Sequence, residues 1–403
     1  MNFVEREFVP LILGGDINTY SVSRAFYEEY QVRPYVRGKF QTGPSYRSKL
    51  VDYKAIPEID QDDCFLKTVN EFADERKDKK IILMGCGDAY VALISKHKAK
   101  LRDNIIAPYI DFDFMNEIQQ KETFYQMCDK YGVDYPGTFV YKKGMPLDFE
   151  IDFPFPVVLK PSDGISYWEH PFETQAKVYI IQSRKELEST IQDVYNAGYE
   201  DDMIIQDMIP GNDENMRVLT SYSDRNGKVK MMCLGHVLLE EHTPHGMGNH
   251  ACIITEPDLG KLSNVKKLLE ELNYVGFSNF DIKYDKRDGK YKFFELNTRQ
   301  GRSNYYVTNS GLNVAKYIVE DYIYGKELEF EAPDKEYLWM VVPKGVAFKY
   351  VKDEETKELM HKLIKDGRYV NPLFKEGDSG LNRTLRMYKN VFSHYKKFKT
   401  YYK

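Results

Sequence analysis

Residues 291–299 read Tyr-Lys-Phe-Phe-Glu-Leu-Asn-Thr-Arg, and together with Asp281 they decide the fold. Side chains two apart on a strand point the same way. Phe293, Glu295 and Asn297 therefore share one face, while Phe294 and Leu296 take the other. A carboxylate beside an amide oxygen, followed by an arginine, suits a Mg²⁺ ion bridging phosphates. That ion takes oxygen ligands in near-octahedral geometry, usually one or two carboxylates plus phosphate oxygens. Phe280 to Tyr284 reads as a partner strand, and Asp285 to Lys290, with Asp288-Gly289 inside it, as the turn of a hairpin. A simple register sets Asp281 opposite or diagonal to Glu295. Alternation alone describes a wet surface hairpin equally well, so the surroundings must decide between them.

At 403 residues the chain is long enough for two or three domains. With 42% hydrophobic and 30% charged residues it belongs to the soluble globular class, and a net charge of -5 gives no reason to expect a nucleic-acid partner. The five cysteines (Cys64, Cys86, Cys128, Cys233, Cys252) lack C-x-x-C pairing or metal spacing and fit reduced thiols. The apolar run Phe8 to Leu13 is too short for a signal core, and no run approaches the roughly 20 residues a membrane span needs. A cytoplasmic protein, not integral to a membrane, is expected. From Leu381 to Lys403 there are seven Lys or Arg and no Asp or Glu, interleaved with Tyr and Phe. This reads as a solvated amphipathic helix with a frayed end; the sharper alternative is peripheral contact with anionic lipid or a diphosphate-bearing substrate.

Working outward, Val9 to Leu13 followed by Gly14-Gly15 looks like a buried strand entering a tight turn, and Ser21 to Tyr30 has helical spacing. Lys80 to Met84, the turn Gly85 to Asp88 and the helix Ala89 to Lys98 repeat the pattern. Strands alternating with helices predict a mostly parallel sheet over roughly the first 115 residues. Beyond it the spacing predicts a helix over Met115 to Tyr131, strands over Phe155 to Pro161 and Lys177 to Gln182, and a helix from Ser183, its cap, to Tyr195. A strand over Met203 to Met208 runs into Ile209-Pro210-Gly211. Three more follow over Val218 to Tyr222, Lys228 to Leu239 and Ala251 to Thr255, and then helices over Ser263 to Leu272 and Asn313 to Tyr324.

In order and spacing, Lys121, Lys160, the strand ending in Gln206 to Gly211, and Asp281, Glu295, Asn297 and Arg299 resemble the ATP-grasp superfamily of carboxylate–amine ligases. The resemblance spans roughly residues 115–325. It implies an α/β protein, with α+β character in the ATP-clamping part: an N-terminal α/β domain over 1–115, a central subdomain over 116–206, a metal-bearing subdomain over 207–325, and a C-terminal extension over 326–403. It further implies that Lys121 and Lys160 hold ATP phosphates from two subdomains, and that the backbone of Gln206, Asp207, Met208 and Ile209 reads the adenine edge. Asp213 would hold the ribose hydroxyls, and Asp281, Glu295 and Asn297 would bind Mg²⁺, two ions, with Mn²⁺ as a substitute. The family's glycine-rich loop is reduced here to Ser162-Asp163-Gly164-Ile165-Ser166-Tyr167-Trp168, so backbone amides and Ser162 or Ser166 are the candidates to cap phosphates, with Lys177 supplying positive charge. Arg299 and Arg302, with Arg217 as a weaker candidate, would grip an acyl phosphate or a second substrate carboxylate.

Narrower phrases resemble the D-aspartate ligases: Tyr109 to Asp113, Lys121 to Tyr125, Gly132 to Thr138, Pro10 to Ala25 and Glu240 to Pro244. That resemblance implies transfer of D-aspartate, through its β-carboxylate, to the lysine amine of a muropeptide nucleotide. Its alternatives are another amino-acid or dipeptide ligase, or a nucleotide-binding regulator. Glycines at 246 and 248 argue against a zinc helix between His242 and His250. Thus His242, His245, Asn249 and His250 are read as a substrate-facing loop.

Overall fold

The apolar runs at the head of the chain become the inner strands of a parallel sheet. In the computed structural model, which describes residues 1–244, 246–378 and 380–402, β1 (Phe8–Leu13), β2 (Tyr35–Gly38), β3 (Asp52–Ala55), β4 (Lys80–Gly85) and β5 (Ile105–Ile106) are ordered β3-β2-β1-β4-β5. All four pairings are parallel, and Leu11 of β1 faces Tyr35 on one side and Leu83 on the other. A central parallel strand is covered on both faces, and Leu11, Ile12 and Leu13 have no exposed surface. The following helix starts at Ile17, four residues before the expected Ser21, because the Asp16 carboxylate accepts from the Thr19 backbone N–H at 3.2 Å and caps it. Gly14 enters this cap at φ +136°, where a Cβ would lie 2.4 Å from Thr19 Oγ1. A side chain there has neither the backbone angle nor the room.

The chain separates into two units, one comprising residues 1–116, 212–281 and 296–403, the other 117–211 and 282–295. In the second unit, β6 (Thr138–Tyr141), β7 (Val157–Pro161), β8 (Tyr179–Ile181) and β9 (Met203–Asp207) form an antiparallel sheet ordered β6-β9-β7-β8. The helix Arg184–Asn196 is capped by Ser183, whose side chain accepts from the Glu186 N–H, as the sequence predicts. Its apolar stripe Leu187, Ile191 and Val194 joins Val157, Leu159 and Ile205 in this unit's core. Three expectations are corrected here. The single helix over Met115 to Tyr131 is two, Phe112–Gln119 and Lys121–Tyr131, because Gln120 turns extended (φ -69°, ψ 128°). Residues 164–168 of the expected phosphate loop form a helical turn. The strand expected from Lys177 starts only at Tyr179.

The remaining strands, β10 (Met216–Ser223), β11 (Val229–Glu240), β12 (His250–Glu256), β13 (Gly276–Asp285), β14 (Lys290–Asn297), β15 (Leu338–Met340) and β16 (Tyr369–Val370), form a sheet ordered β14-β13-β10-β11-β12-β15-β16. In the first unit Val218, Tyr222, Val237 and Trp339 share one buried cluster with Ile12 and Phe26, so the head and tail of the chain build a common core.

The C-terminal basic segment is a 21-residue helix, Leu381–Tyr401. Its inner face, Arg383, Met387, Val391, His394 and Phe398, is buried, whereas Leu385 and Phe392 are exposed. The expectation of a solvated helix is corrected on that inner face. An interior ion pair secures it: Arg383 Nε lies 3.4 Å from Asp378 Oδ2, with both side chains at 1% exposure or less. Asp378 accepts from Tyr20 Oη at 2.6 Å, Ser48 Oγ at 2.7 Å and the Lys49 N–H at 2.7 Å. Arg383 donates onward to the carbonyls of Pro44 and Leu373. Among the described residues no helix is long and apolar enough to cross a membrane.

Candidate active site

Lys160 stands one residue from the end of β7, and Lys121 opens the helix Lys121–Tyr131. Lys160 Nζ donates to Gln206 Oε1 at 2.8 Å. Gln206 is 1% exposed, on a central strand, and its amide N–H groups go to Tyr125 Oη at 2.7 Å and Thr138 Oγ1 at 2.9 Å. Three partners thus fix the amide, and the amide fixes Lys160. Burial, then repulsion from the Lys121 ammonium, pushes Lys160 down to about 7, with Glu295 opposing. Two ammonium groups against one carboxylate leave this half-dry site short of negative charge. A polyanion would correct that shortage.

The other nucleotide candidates in this unit are placed as follows. Asp207 ends β9; its N–H donates to the Gly137 carbonyl at 2.8 Å, and its carboxylate meets Arg287 Nη1 at 3.2 Å. Met208 is half-buried and Ile209 buried just beyond. Ser162 is exposed, its N–H donating to the Asp202 carbonyl at 2.9 Å, and Lys177 is exposed.

In the first unit, Asn297 Nδ2 donates to Asp281 Oδ2 at 3.4 Å, and Arg299 Nη2 donates to Asn297 Oδ1 at 3.3 Å. Arg299 also forks onto Asp88, with Nε to Oδ1 at 2.6 Å and Nη2 to Oδ2 at 2.9 Å. Asp88 opens the helix after β4, so Arg299 is tied to a parallel-sheet turn of the same unit. Glu295, the last residue of the second unit, is exposed and precedes Asn297 by two residues in the strand Lys290–Asn297. The set offers two carboxylates and an amide, all hard oxygen donors of the kind Mg²⁺ takes.

Arg217 is held bidentately by Glu256, both contacts at 3.0 Å, and would have to leave it to reach a substrate. Asp213 accepts from His242 Nε2 at 2.9 Å and from the Glu240 N–H at 2.9 Å, bringing two candidates together. His250 is buried against Ser303 Oγ at 3.3 Å. Burial, with the Arg302 charge adding to it, pushes the imidazole down to about 4, so it is neutral at pH 7. The Asn249 carbonyl accepts from the Glu241 N–H at 2.8 Å. His245 lies outside the described residues.

Arg302 reaches a cavity of about 250 Å³ that the sequence reading missed. Glu241, Arg386 and His394 line it too. The available signal was the spacing Arg386, Asn390, His394, which puts three polar groups on one helical stripe.

No family model matches the chain. It is 41% identical over 416 residues to the D-aspartate ligase of Enterococcus faecium (strain Aus0004), covering 100% of this chain and 99% of that protein. Among solved structures it resembles the ADP complex of N5-carboxyaminoimidazole ribonucleotide synthetase, with a TM-score of 0.61 and 14% identity over 100% of this chain and 99% of that one. It also resembles the biotin carboxylase domain of 2-oxoglutarate carboxylase from Hydrogenobacter thermophilus, crystallised with MgADP, ADP and bicarbonate. There the TM-score is 0.58 and identity 16%, over 83% of this chain and 74% of that one. The structural likenesses carry the fold, and the full-length identity carries the family. The chain belongs to the D-aspartate ligases, ATP-dependent enzymes of ATP-grasp fold that form carbon–nitrogen bonds.

Proposed function

We propose that this enzyme joins D-aspartate, through its β-carboxylate, to the lysine side-chain amine of the UDP-MurNAc-pentapeptide precursor in the cytoplasm, by way of an acyl phosphate. The observation that carries the ATP part is the convergence of Lys121 and Lys160, braced by Gln206, in a site short of negative charge. A carboxylate is a poor electrophile because its leaving group would be oxide. Transfer of the γ-phosphoryl group supplies a good leaving group, and the amine then displaces phosphate. Such chemistry asks the protein mainly to position and neutralise anions.

We assign Lys121 and Lys160 to the ATP phosphates, and the segment Gln206 to Ile209 to the base. Subdomains over 116–206 and 207–325 would bind the nucleotide, the 1–115 domain and the 326–403 extension flanking them. Asp281, Glu295 and Asn297 are the residues we assign to hold Mg²⁺, which when bound supplies charge neutralisation at the phosphates. We assign Arg299, which contacts Asp88 and Asn297, to steady the transferred phosphoryl group. Arg302 is left for the acid. The test is phosphate release from ATP with D- and L-Asp, Glu and Ala as acids and the lysine-containing muropeptide nucleotide as amine. Release that requires D-aspartate and the muropeptide supports the proposal. Release with a different pair redirects it to another amino-acid ligase, and no release in any mixture defeats it.

A further inference from the structure

We propose that the C-terminal helix supplies the acid-binding subsite, with Arg386 and Arg302 holding the carboxylate of the amino acid that is not activated and Asp16 receiving its ammonium. This rests on the ligase reading above. The cavity that Arg302 enters is walled by Asp16, Thr42, Glu241, Arg386 and His394, and every one of them belongs to the first unit. Three buried nitrogen atoms on its wall, Arg302 Nη1, Arg386 Nε and His394 Nε2, have no hydrogen-bond partner on the protein. Buried polar atoms are normally satisfied. The two guanidinium nitrogens are donors only, and two such donors left unsatisfied around one small space call for a ligand that carries acceptors. His394, whose Nδ1 donates to the Val391 carbonyl, offers Nε2 as an acceptor.

The Arg386 guanidinium is also held in place. Arg386 Nη2 donates to the carbonyls of Gly43 at 3.0 Å and Tyr46 at 2.6 Å, which leaves Nε for the cavity. Burial, and the nearby Arg383 and Arg47, disfavour its charged form, a strain that an anion relieves. Glu241 is shared at 3.6 Å with Arg302 Nη2, 3.7 Å with His394 Nε2 and 3.9 Å with Lys397 Nζ, distances of charge contact rather than hydrogen bonding. The wall therefore offers both positive groups, Arg302 and Arg386, and carboxylates, Asp16 and Glu241. That pattern matches a small amino acid carrying an extra carboxylate, and about 250 Å³ suits such a molecule. The space is too small for a nucleotide-linked peptide. Arg302 follows Asn297, assigned to the metal, by five residues in sequence.

The experiment compares wild type with Arg386→Met and Asn390→Phe, the latter pushing a ring into the cavity from its wall. KM for D-aspartate should rise roughly thirty-fold, the scale of losing a charge-assisted hydrogen bond, while KM for ATP stays within about two-fold. Arg386→Met should also lose preference for D-aspartate over D-isoasparagine, whose α-carboxylate is an amide while its β-carboxylate is intact. D-aspartate binding is read independently of turnover by saturation-transfer NMR with MgADP present. Binding lost in both variants with circular dichroism unchanged supports the subsite, and if Arg386→Met does not fold, Asn390→Phe decides. Wild-type KM and binding in the folded variants, or no binding of D-aspartate to wild type, overturns it. A wild type that ligates D-aspartate while both variants keep its KM sinks the subsite alone; a wild type that ligates nothing sinks the ligase reading.

Discussion

Nucleotide binding should consume a proton, and Lys160→Met should abolish that uptake. Lys160 sits near 7 in the free protein because burial and Lys121 disfavour its charge. At about 1.4 kcal/mol per tenfold, the fall from an ordinary lysine corresponds to roughly 5 kcal/mol against charging this ammonium. Phosphate oxygens reverse that preference. At pH 7, where Lys160 is half-charged, binding MgADP should take up about half a proton, and at pH 8 nearly one. Affinity should then weaken about five-fold from pH 7 to 8 and nearer ten-fold from 8 to 9. The sign for folding follows from the same displacement. Between about 7 and 10.5 the unfolded chain holds a proton that the folded one lacks, so wild type should gain roughly 2 kcal/mol over Lys160→Met between pH 7 and 9. Calorimetry of MgADP binding in two buffers of different ionisation heat measures the uptake, with the variant subtracting the nucleotide's own titration. Wild type binding without proton uptake at both pH values, or a variant that keeps it, would refute the reasoning.

Three further perturbations follow from particular contacts. Glu295→Gln keeps the shape of an exposed side chain but removes a proposed metal charge, so ADP formation should vanish with circular dichroism unchanged; near-normal turnover would remove the metal assignment. Asp378→Ala strands buried Arg383 and takes the acceptor from the Tyr20 and Ser48 hydroxyls, so urea denaturation should register a loss of roughly 3–5 kcal/mol. A loss under about 1 kcal/mol would mean that Arg383 finds other acceptors. Gln206→Leu, of similar size, frees Lys160 and removes the amide N–H that Tyr125 and Thr138 each accept, while their hydroxyls keep donating to the Phe294 and Pro136 carbonyls. About 1–3 kcal/mol of stability should go, with MgADP affinity falling alongside, and unchanged affinity would show that Lys160 needs no brace.

The parallel sheet was legible because Phe8 to Leu13 and Lys80 to Met84 are apolar runs bounded by glycine, a pattern only a doubly covered strand tolerates. Ser183 was legible as a cap because capping is local chemistry. The break at Gln120 was not: glutamine is a good helix former, and nothing nearby signals a stop. Lys121, Lys160, Gln206 and Glu295 were named from order and spacing. That the Gln206 side chain braces Lys160 depends on β9 lying beside β7, which no local pattern encodes. The inner face of the C-terminal helix was hidden for the same reason. A basic, aromatic tail reads as solvated unless Asp378, Tyr20 and Ser48 are known to be waiting for Arg383.

The Arg383–Asp378 anchor joins residues more than 300 positions apart through Tyr20 and Ser48. Loops of that length close late, since their entropy is repaid only when the distant contact forms. A chain made from its N-terminus exposes Asp16 and Tyr20 long before Arg383 exists. Until the last helix docks, the apolar strip Met387, Val391 and Phe398 and its counterpart on the core both face water. The hazard of this architecture therefore lies in biosynthesis: chains stalled or shortened near residue 380 would hold a folded parallel sheet beside an uncovered apolar seam, and aggregation is their expected fate.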